Sequence, residues 1–173
     1  MLTKEELLEL MINNPEEFNA ESRNGNIDMT EMDISNLHLE GLIFKNIDLT
    51  SSSFADSTLT EVKFIDCDLT SVDFTRSTLT ECNFNESTLN GTDFSYSTVN
   101  YCNFNDSDLA GAIFRDSDLS NSDFTMAENL NASRYDDTTI WPDSEYLPDG
   151  FDAEYLDDLS SLKDEDDYVA SDY

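Results

Sequence analysis

The sequence predicts an all-β solenoid with four sides. Three observations carry that expectation: an apolar residue at every fifth position, a second period of twenty residues, and a polar remainder with the composition of turns. Counting by fives from Met29 gives Met29, Ile34, Leu39, Phe44, Leu49, Phe54, Leu59, Phe64, Leu69, Phe74, Leu79, Phe84, Leu89, Phe94, Val99, Phe104, Leu109, Phe114, Leu119 and Phe124. A period of five is neither the 3.6 of a helix nor the 2 of a flat strand. A chain that bends sharply once in every five residues accounts for it.

Each unit then supplies a short extended piece and a corner. Two residues before each large apolar residue stands a small or apolar one, such as Ile47, Ser52, Val62, Cys67 or Cys82. Both point inward. The other three positions are mostly Asp, Asn, Thr, Ser or Glu, which suit repeated turns.

The second period sets the number of sides. IDLTS at 47–51 returns as CDLTS at 67–71, STLTE at 57–61 returns unchanged at 77–81, and CNFNE at 82–86 returns as CNFND at 102–106. Each offset is twenty residues, so four units close one coil. Residues 27–126 make five coils, a rod about 24 Å long at a strand spacing of ~4.8 Å. Phe44, Phe64, Phe84, Phe104 and Phe124 are expected to stack on one inner face, with Phe54, Phe74, Phe94 and Phe114 opposite.

The ends read as caps. Thr3 and Glu6 have the spacing of a capping box, and Leu7, Leu8, Met11 and Ile12 follow at helical spacing. Asn14-Pro15 opens a second short helix through Phe18. After Phe124 the register is expected to slip by one residue at Ala127, with further units centred on Leu130 and Tyr135. The expected organisation is a helical cap over 1–26, the repeat region over 27–137 (five to five and a half coils), a C-terminal cap with a helix over 138–163, and an acidic disordered tail over 164–173. Phe151, Tyr155, Leu156, Leu159 and Leu162 supply the helical spacing for the last helix.

Units such as CDLTS, SDLAG, SDLSN and SDFTM resemble the A(D/N)LXX consensus of the pentapeptide-repeat family. The resemblance runs over residues 27–126 and implies a right-handed quadrilateral β-helix. The chain departs from the consensus in using Ser, Thr or Cys where Ala is usual, and those groups need internal hydrogen bonds. The stretch TTIWPDSEYLPDGFD resembles the Trp-Pro and Gly-Phe-Asp ending of the family. Ile140 and Trp141 are expected to cover the floor of the last coil.

The 173 residues hold 39 acidic and 8 basic side chains, a net charge of −31. Such a charge opposes nucleic acid and anionic membranes and favours basic protein partners. Stacking by twenty sorts the acids. One outward column is Asp28, Asp48, Asp68, Thr88 and Asp108; the adjoining face carries Asp33, Ser53, Asp73, Asp93 and Ile113. The corner beside the first column carries Asp66, Glu86 and Asp106. A third face presents Thr58, Thr78 and Thr98, and a fourth Lys63, Asn83 and Asn103. Tyr96 and Tyr101 are outward corner residues on either side of Val99, a candidate contact patch.

Catalytic and cofactor chemistry is not expected. His38 is the one histidine, at an outward position, and there is no phosphate-binding glycine loop. The Asp columns lack the enclosing geometry of a cation site. Cys67, Cys82 and Cys102 are an odd set without a CxxC pair, read as reduced thiols of a cytoplasmic protein. Cys82 and Cys102 fall at equivalent positions of neighbouring coils, where two packed thiols are favoured over a disulfide. The N-terminal stretch, broken by Lys4, Glu5, Glu6 and Glu9, reads as neither signal peptide nor membrane span.

The expected function is therefore non-enzymatic protein binding. A straight rod with rows of carboxylates can imitate duplex DNA before a basic groove. The resemblance extends to quinolone-resistance (Qnr-type) members, which implies DNA gyrase or topoisomerase IV as the leading partner. The alternative is a structural or regulatory scaffold with another target. A homodimer through a capping end is a further expectation.

Overall fold

The computed structural model describes residues 2–24 and 27–153. Of the helix expected over 152–163, Asp152 and Ala153 are described and are not helical; the rest of it and the tail over 164–173 lie outside the described residues. The chain begins with two helices, α1 (Lys4–Asn13) and α2 (Pro15–Arg23). Six three-residue strands follow among the described residues: β1 (His38–Glu40), β2 (Ile43–Lys45), β3 (Thr58–Thr60), β4 (Lys63–Ile65), β5 (Thr78–Thr80) and β6 (Thr98–Asn100). They form two parallel sheets, ordered β1-β3-β5-β6 and β2-β4, and every register is an offset of twenty residues. These ladders span about three turns, fewer than the five to five and a half coils expected. Isolated parallel bridges carry the stacking onward, from Asp33↔Ser53 through Asn103↔Asp123 to Asp118↔Ile140.

The corners explain the period of five. Every fifth residue from Glu31 to Asp116 has a positive φ, between 52° and 71°. Only three of these corners are glycine, at Gly41, Gly91 and Gly111. The left-handed conformation costs an L-residue about 1–2 kcal/mol. Against that cost, each bend frees an amide that bonds to the next coil: Ser51 N donates to Thr70 O at 3.0 Å, Glu81 N to Asn100 O at 3.0 Å, Tyr96 N to Arg115 O at 2.9 Å. Such bonds contribute about 0.5–1.5 kcal/mol net. Where no strand is formed, the corner is also closed by a β-turn, as in Ser52 N to Leu49 O at 2.9 Å.

Inside, the phenylalanines form two parallel columns. Phe64, Phe84 and Phe104 stack at 5.1 and 4.8 Å between ring centroids, with planes within 9° of parallel. Phe54, Phe74 and Phe94 stack at 5.0 Å each. Between the columns, rings meet edge to face, as in Phe84–Phe94 at 5.8 Å and 90°. Leu39, Leu59, Leu79 and Val99 fill a third side, and Leu49, Leu69, Leu89 and Leu109 the fourth; all are buried.

The inward hydroxyls are satisfied in two ways. Ser52, Ser57, Ser87 and Ser122 each bridge to the preceding coil: Ser87 Oγ donates to Phe64 O at 3.1 Å and accepts from Cys67 N at 3.0 Å. Ser77, Ser97, Ser107 and Ser117 instead donate to the carbonyl of the phenylalanine three residues before. This is why serine replaces alanine in so tight an interior.

The helices close the first coil. Thr3 and Glu6 form the capping box, and Leu7, Met11 and Phe18 are buried against the rod. The Phe18 ring meets Phe44 at 5.1 Å. Helix α2 runs to Arg23, beyond the end expected at Phe18. The extra turn has a purpose: Asn19 accepts from Ile43 N at 2.7 Å and donates to Gly41 O at 3.0 Å, while Ser22 donates to Ile43 O at 2.5 Å. Two side chains three residues apart thus satisfy the outer edge of β2, which would otherwise lie open.

At the other end, the register slips at Asn129, not at Ala127. Ala127 keeps the inward position and Glu128 still pairs with Asp108 at an offset of twenty. Asn129 then takes a left-handed φ of 55°, and Leu130–Ala132 forms a 3-10 turn. The offset grows to Ile113↔Arg134 and Asp118↔Ile140. Trp141 covers the floor, with centroids 5.7 Å from Phe114 and 5.9 Å from Phe124. Ile140 does not: it continues the outward column below Asp118 and is 54% exposed. Tyr135 and Phe151 pack beside Trp141 instead.

Candidate functional site

The acidic residues stand where the coil geometry puts the residue just before each large apolar one. Parallel bridges join Asp48, Asp68, Thr88 and Asp108 into one column. Glu128 extends it, a residue that a slip at Ala127 would take out of the column. On the adjoining face the bridges join Asp33, Ser53, Asp73, Asp93 and Ile113, ending at Arg134. Asp28 occupies the equivalent place in the first coil and is exposed. Asp66, Glu86 and Asp106 are exposed corner residues with φ of 55°, 60° and 58°. The face opposite the first column is the β1-β3-β5-β6 sheet, whose outward threonines pair Thr58↔Thr78↔Thr98.

The column carboxylates also have a local task. Each accepts a hydrogen bond from the amide two residues on: Asp48 from Thr50 at 2.9 Å, Asp68 from Thr70 at 3.0 Å, Asp108 from Ala110 at 3.1 Å. Asp33, Asp73 and Asp93 do the same to Ser35, Thr75 and Ser95. These are Asx turns, in which the side chain stands in for a backbone acceptor at a bend. The Thr30 hydroxyl and amide hold Asp28 below the usual carboxylate range, and Ser35 does likewise for Asp33. Asn83 and Asn103 make the same bond to Asn85 and Asn105, at 2.8 and 2.9 Å. A neutral amide therefore serves the turn as well as a carboxylate does.

Charge is tempered at the corner that carries Asp56 and Arg76. Arg76 grips Asp56 one coil above with two bonds of 2.8 Å. Tyr101 follows Glu81 on the next corner, and Tyr96 follows Arg76. Their rings are 65% and 63% exposed, at left-handed positions that a bulky residue rarely takes. They flank β6 on the threonine side, away from the column of Asp48 and Asp68.

Cys67, Cys82 and Cys102 are free and buried. Burial pushes the Cys67 thiol up to about 11. Burial, and then the adjoining Cys82 thiol, raise Cys102 well above the ordinary range. His38 is exposed at the start of β1. Among the described residues, no three His, Cys, Asp or Glu side chains are grouped to hold a metal ion. No helix among them is long and apolar enough to cross a membrane.

No curated protein matches the chain. Solved structures do. A pentapeptide repeat protein from the Arabidopsis thaliana thylakoid lumen is 28% identical, over 54% of this chain and 69% of that one, with a TM-score of 0.46. Rfr23, from the cyanobacterium Cyanothece 51142, is 16% identical over 64% of this chain and 90% of its own, with a TM-score of 0.32. QnrB1, a plasmid-mediated fluoroquinolone resistance protein, is 21% identical over 61% and 65%, with a TM-score of 0.26. The family profile described as "Pentapeptide repeat region" matches residues 22–94 and 60–139, overlapping spans that take in the whole solenoid down to its last coil, and the chain belongs to that family.

Proposed function

We propose that this protein is a non-enzymatic binder of a basic, DNA-handling protein, acting in the cytoplasm as a mimic of duplex DNA. DNA gyrase or topoisomerase IV is the leading candidate, on the resemblance of the repeats to the Qnr-type members. The observation that carries the reading is the pair of adjoining faces on which Asp48, Asp68, Asp108, Asp33, Asp73 and Asp93 recur coil after coil, with Asp66, Glu86 and Asp106 along the corner. Carboxylates on neighbouring coils repeat at ~4.8 Å. A basic groove meets them as a dense anionic rail, and association is steered by charge.

The test is displacement of DNA from purified gyrase by the wild type and two triple variants. Replacing Asp48, Asp68 and Asp108 by Asn keeps the turn acceptors and removes three charges. Its stability should equal or slightly exceed that of the wild type, because crowded like charges oppose folding. Its competition should weaken, with a flatter dependence on salt. Replacing Thr58, Thr78 and Thr98 by Ser should change little. A wild type that fails to compete at low salt removes gyrase; an Asn variant that competes fully removes these columns from the interface.

A second reading is favoured by Tyr96 and Tyr101. Their rings bury little, and other corners take Asp, Glu, Asn, Ser, Arg or Gly, so the fold does not call for tyrosine there. Tyrosine is enriched at interface cores. A scaffold that docks a partner on the threonine side would use them, and loss of activity in the Thr variant alone would select that reading.

A further inference from the structure

The two N-terminal helices cover the first coil and also frame a groove. Between them lies a groove of about 310 Å³, lined by Leu2 and Leu10 and by Glu6, Glu9, Glu17 and Glu21. The leucines are half-buried and lean on the rod's core. No basic residue lines the groove. Lys4, the nearest in sequence, is turned away and donates to Thr30 O.

The four carboxylates are costly to the helices that carry them. Glu6 and Glu9 are three residues apart on α1, and Glu17 and Glu21 four apart on α2, spacings at which like charges oppose helix formation. Glu21 also sits in the last turn of α2, where the helix dipole disfavours an anion. Two of the four are held in place: Glu6 accepts from Thr3 N at 2.8 Å and Glu17 from Asn14 Nδ2 at 2.6 Å. The carboxylates of Glu9 and Glu21 have no hydrogen-bond or ion-pair partner among the described residues. Capping explains Glu6 and Glu17; nothing in the fold explains Glu9 or Glu21.

We infer that this groove is a docking site for a short amphipathic basic segment of a partner protein. Leucine-like side chains would rest on Leu2 and Leu10, while lysine or arginine reaches the four carboxylates. A lining that joins two leucines to four carboxylates selects that chemistry, since the apolar contact gives a preference that bare charge lacks. The site is separate from the acidic columns and does not rest on the topoisomerase reading.

The probe is a helical Leu/Lys peptide of about ten residues, ~15 Å long and so matched to either helix. An oligolysine of equal charge is the comparison, and binding is followed by titration calorimetry. The double variant Glu9→Gln/Glu21→Gln relieves repulsion and should fold at least as stably as the wild type. It should bind the Leu/Lys peptide about fivefold more weakly. The Asp48/Asp68/Asp108 to Asn variant should bind it within about twofold of wild type. Leu2→Ser should weaken the Leu/Lys peptide and leave oligolysine unchanged. Equal binding by the double variant overturns the proposal, as does a loss confined to the column variant. So does a Leu2→Ser effect that is the same for both peptides, because the groove would then act as charge alone.

Discussion

Replacing Phe84 by Ala tests how the rod is held together. The ring is fully buried and touches four others: Phe64 at 5.1 Å and Phe104 at 4.8 Å in its own column, Phe74 at 5.9 Å and Phe94 at 5.8 Å across the core. Loss of a buried phenylalanine costs about 3–5 kcal/mol, of which the cavity left behind is a large part. Each aromatic contact is worth a further 0.5–1.5 kcal/mol or so beyond the area it buries. Collapse around the hole is restricted here. The backbone at Phe84 is tied to the coil below by Phe84 N to Asn103 O at 2.8 Å, and Asn83 O receives Phe64 N from the coil above at 2.7 Å. The upper half of the range is therefore expected, about 4–5 kcal/mol. Denaturant unfolding should be followed both by far-UV circular dichroism and by Trp141, which reports on the C-terminal floor. Because coils contact only their neighbours, a weak link at mid-rod should also separate the two signals. A shift below about 1 kcal/mol with coincident transitions would refute the claim that the stacked columns carry the stability.

Two further outcomes follow from burial and from the corners. All three thiols should react slowly with a thiol reagent in the folded protein and quickly once it is unfolded; rapid labelling of the native protein would contradict their burial. Because the Cys67 thiol is raised from 9.0 to about 11, its contribution to stability is intact below pH 9 and is lost as pH rises through 11. Equal melting temperatures at pH 8 and pH 11 would count against it. At the Glu81 corner, φ 56°, Glu81→Asn should be nearly neutral, whereas Glu81→Val should destabilise by about 1–2 kcal/mol, because a β-branched side chain resists the left-handed region. Indifference to valine there would mean that the bend is made otherwise.

The two periods in the sequence reach a long way into this structure, because each reports a geometric repeat: five for a side, twenty for a coil. The inward phenylalanines and hydroxyls are legible for the same reason. The corner conformation is not. Glu81, Arg76 and Tyr96 are poor residues for a positive φ, so nothing in their identity announces a left-handed bend. Tertiary bonding imposes it, through amides that reach the next coil. The last coil is less legible, because the repeat weakens there. Ala127 suits either register by size, and it took the pairing of Glu128 with Asp108 to place the slip at Asn129. Ile140 looked like a floor residue because it is apolar and adjoins Trp141, yet alternation along an extended chain turns neighbours to opposite sides. The length of α2 is not legible because Asn19 and Ser22 act on a strand edge more than twenty residues away.

The acidic columns pose a sharper question, since two physical demands fall on the same atoms. An Asx turn asks for a short side chain with an oxygen acceptor, and Asp meets that demand at Asp48, Asp68 and Asp93. Turn chemistry alone therefore predicts many aspartates on any such rod, with no partner in view. It does not predict their charge. Asn83 and Asn103 close the same turn at 2.8 and 2.9 Å, and Ser53 does so less tightly at 3.3 Å. Ile113 stands at the same place with no acceptor at all, and its coil still bridges on both sides. The fold thus accepts neutral residues at positions where two adjoining faces carry Asp in coil after coil. Each unneeded carboxylate adds repulsion to a chain already at −31. A neutral alternative exists within the same molecule, so the excess of charge on these faces is not a requirement of the turn. The exchange of Asp48, Asp68 and Asp108 for Asn separates the two demands. It leaves the bend its acceptor and takes away only what a partner would read.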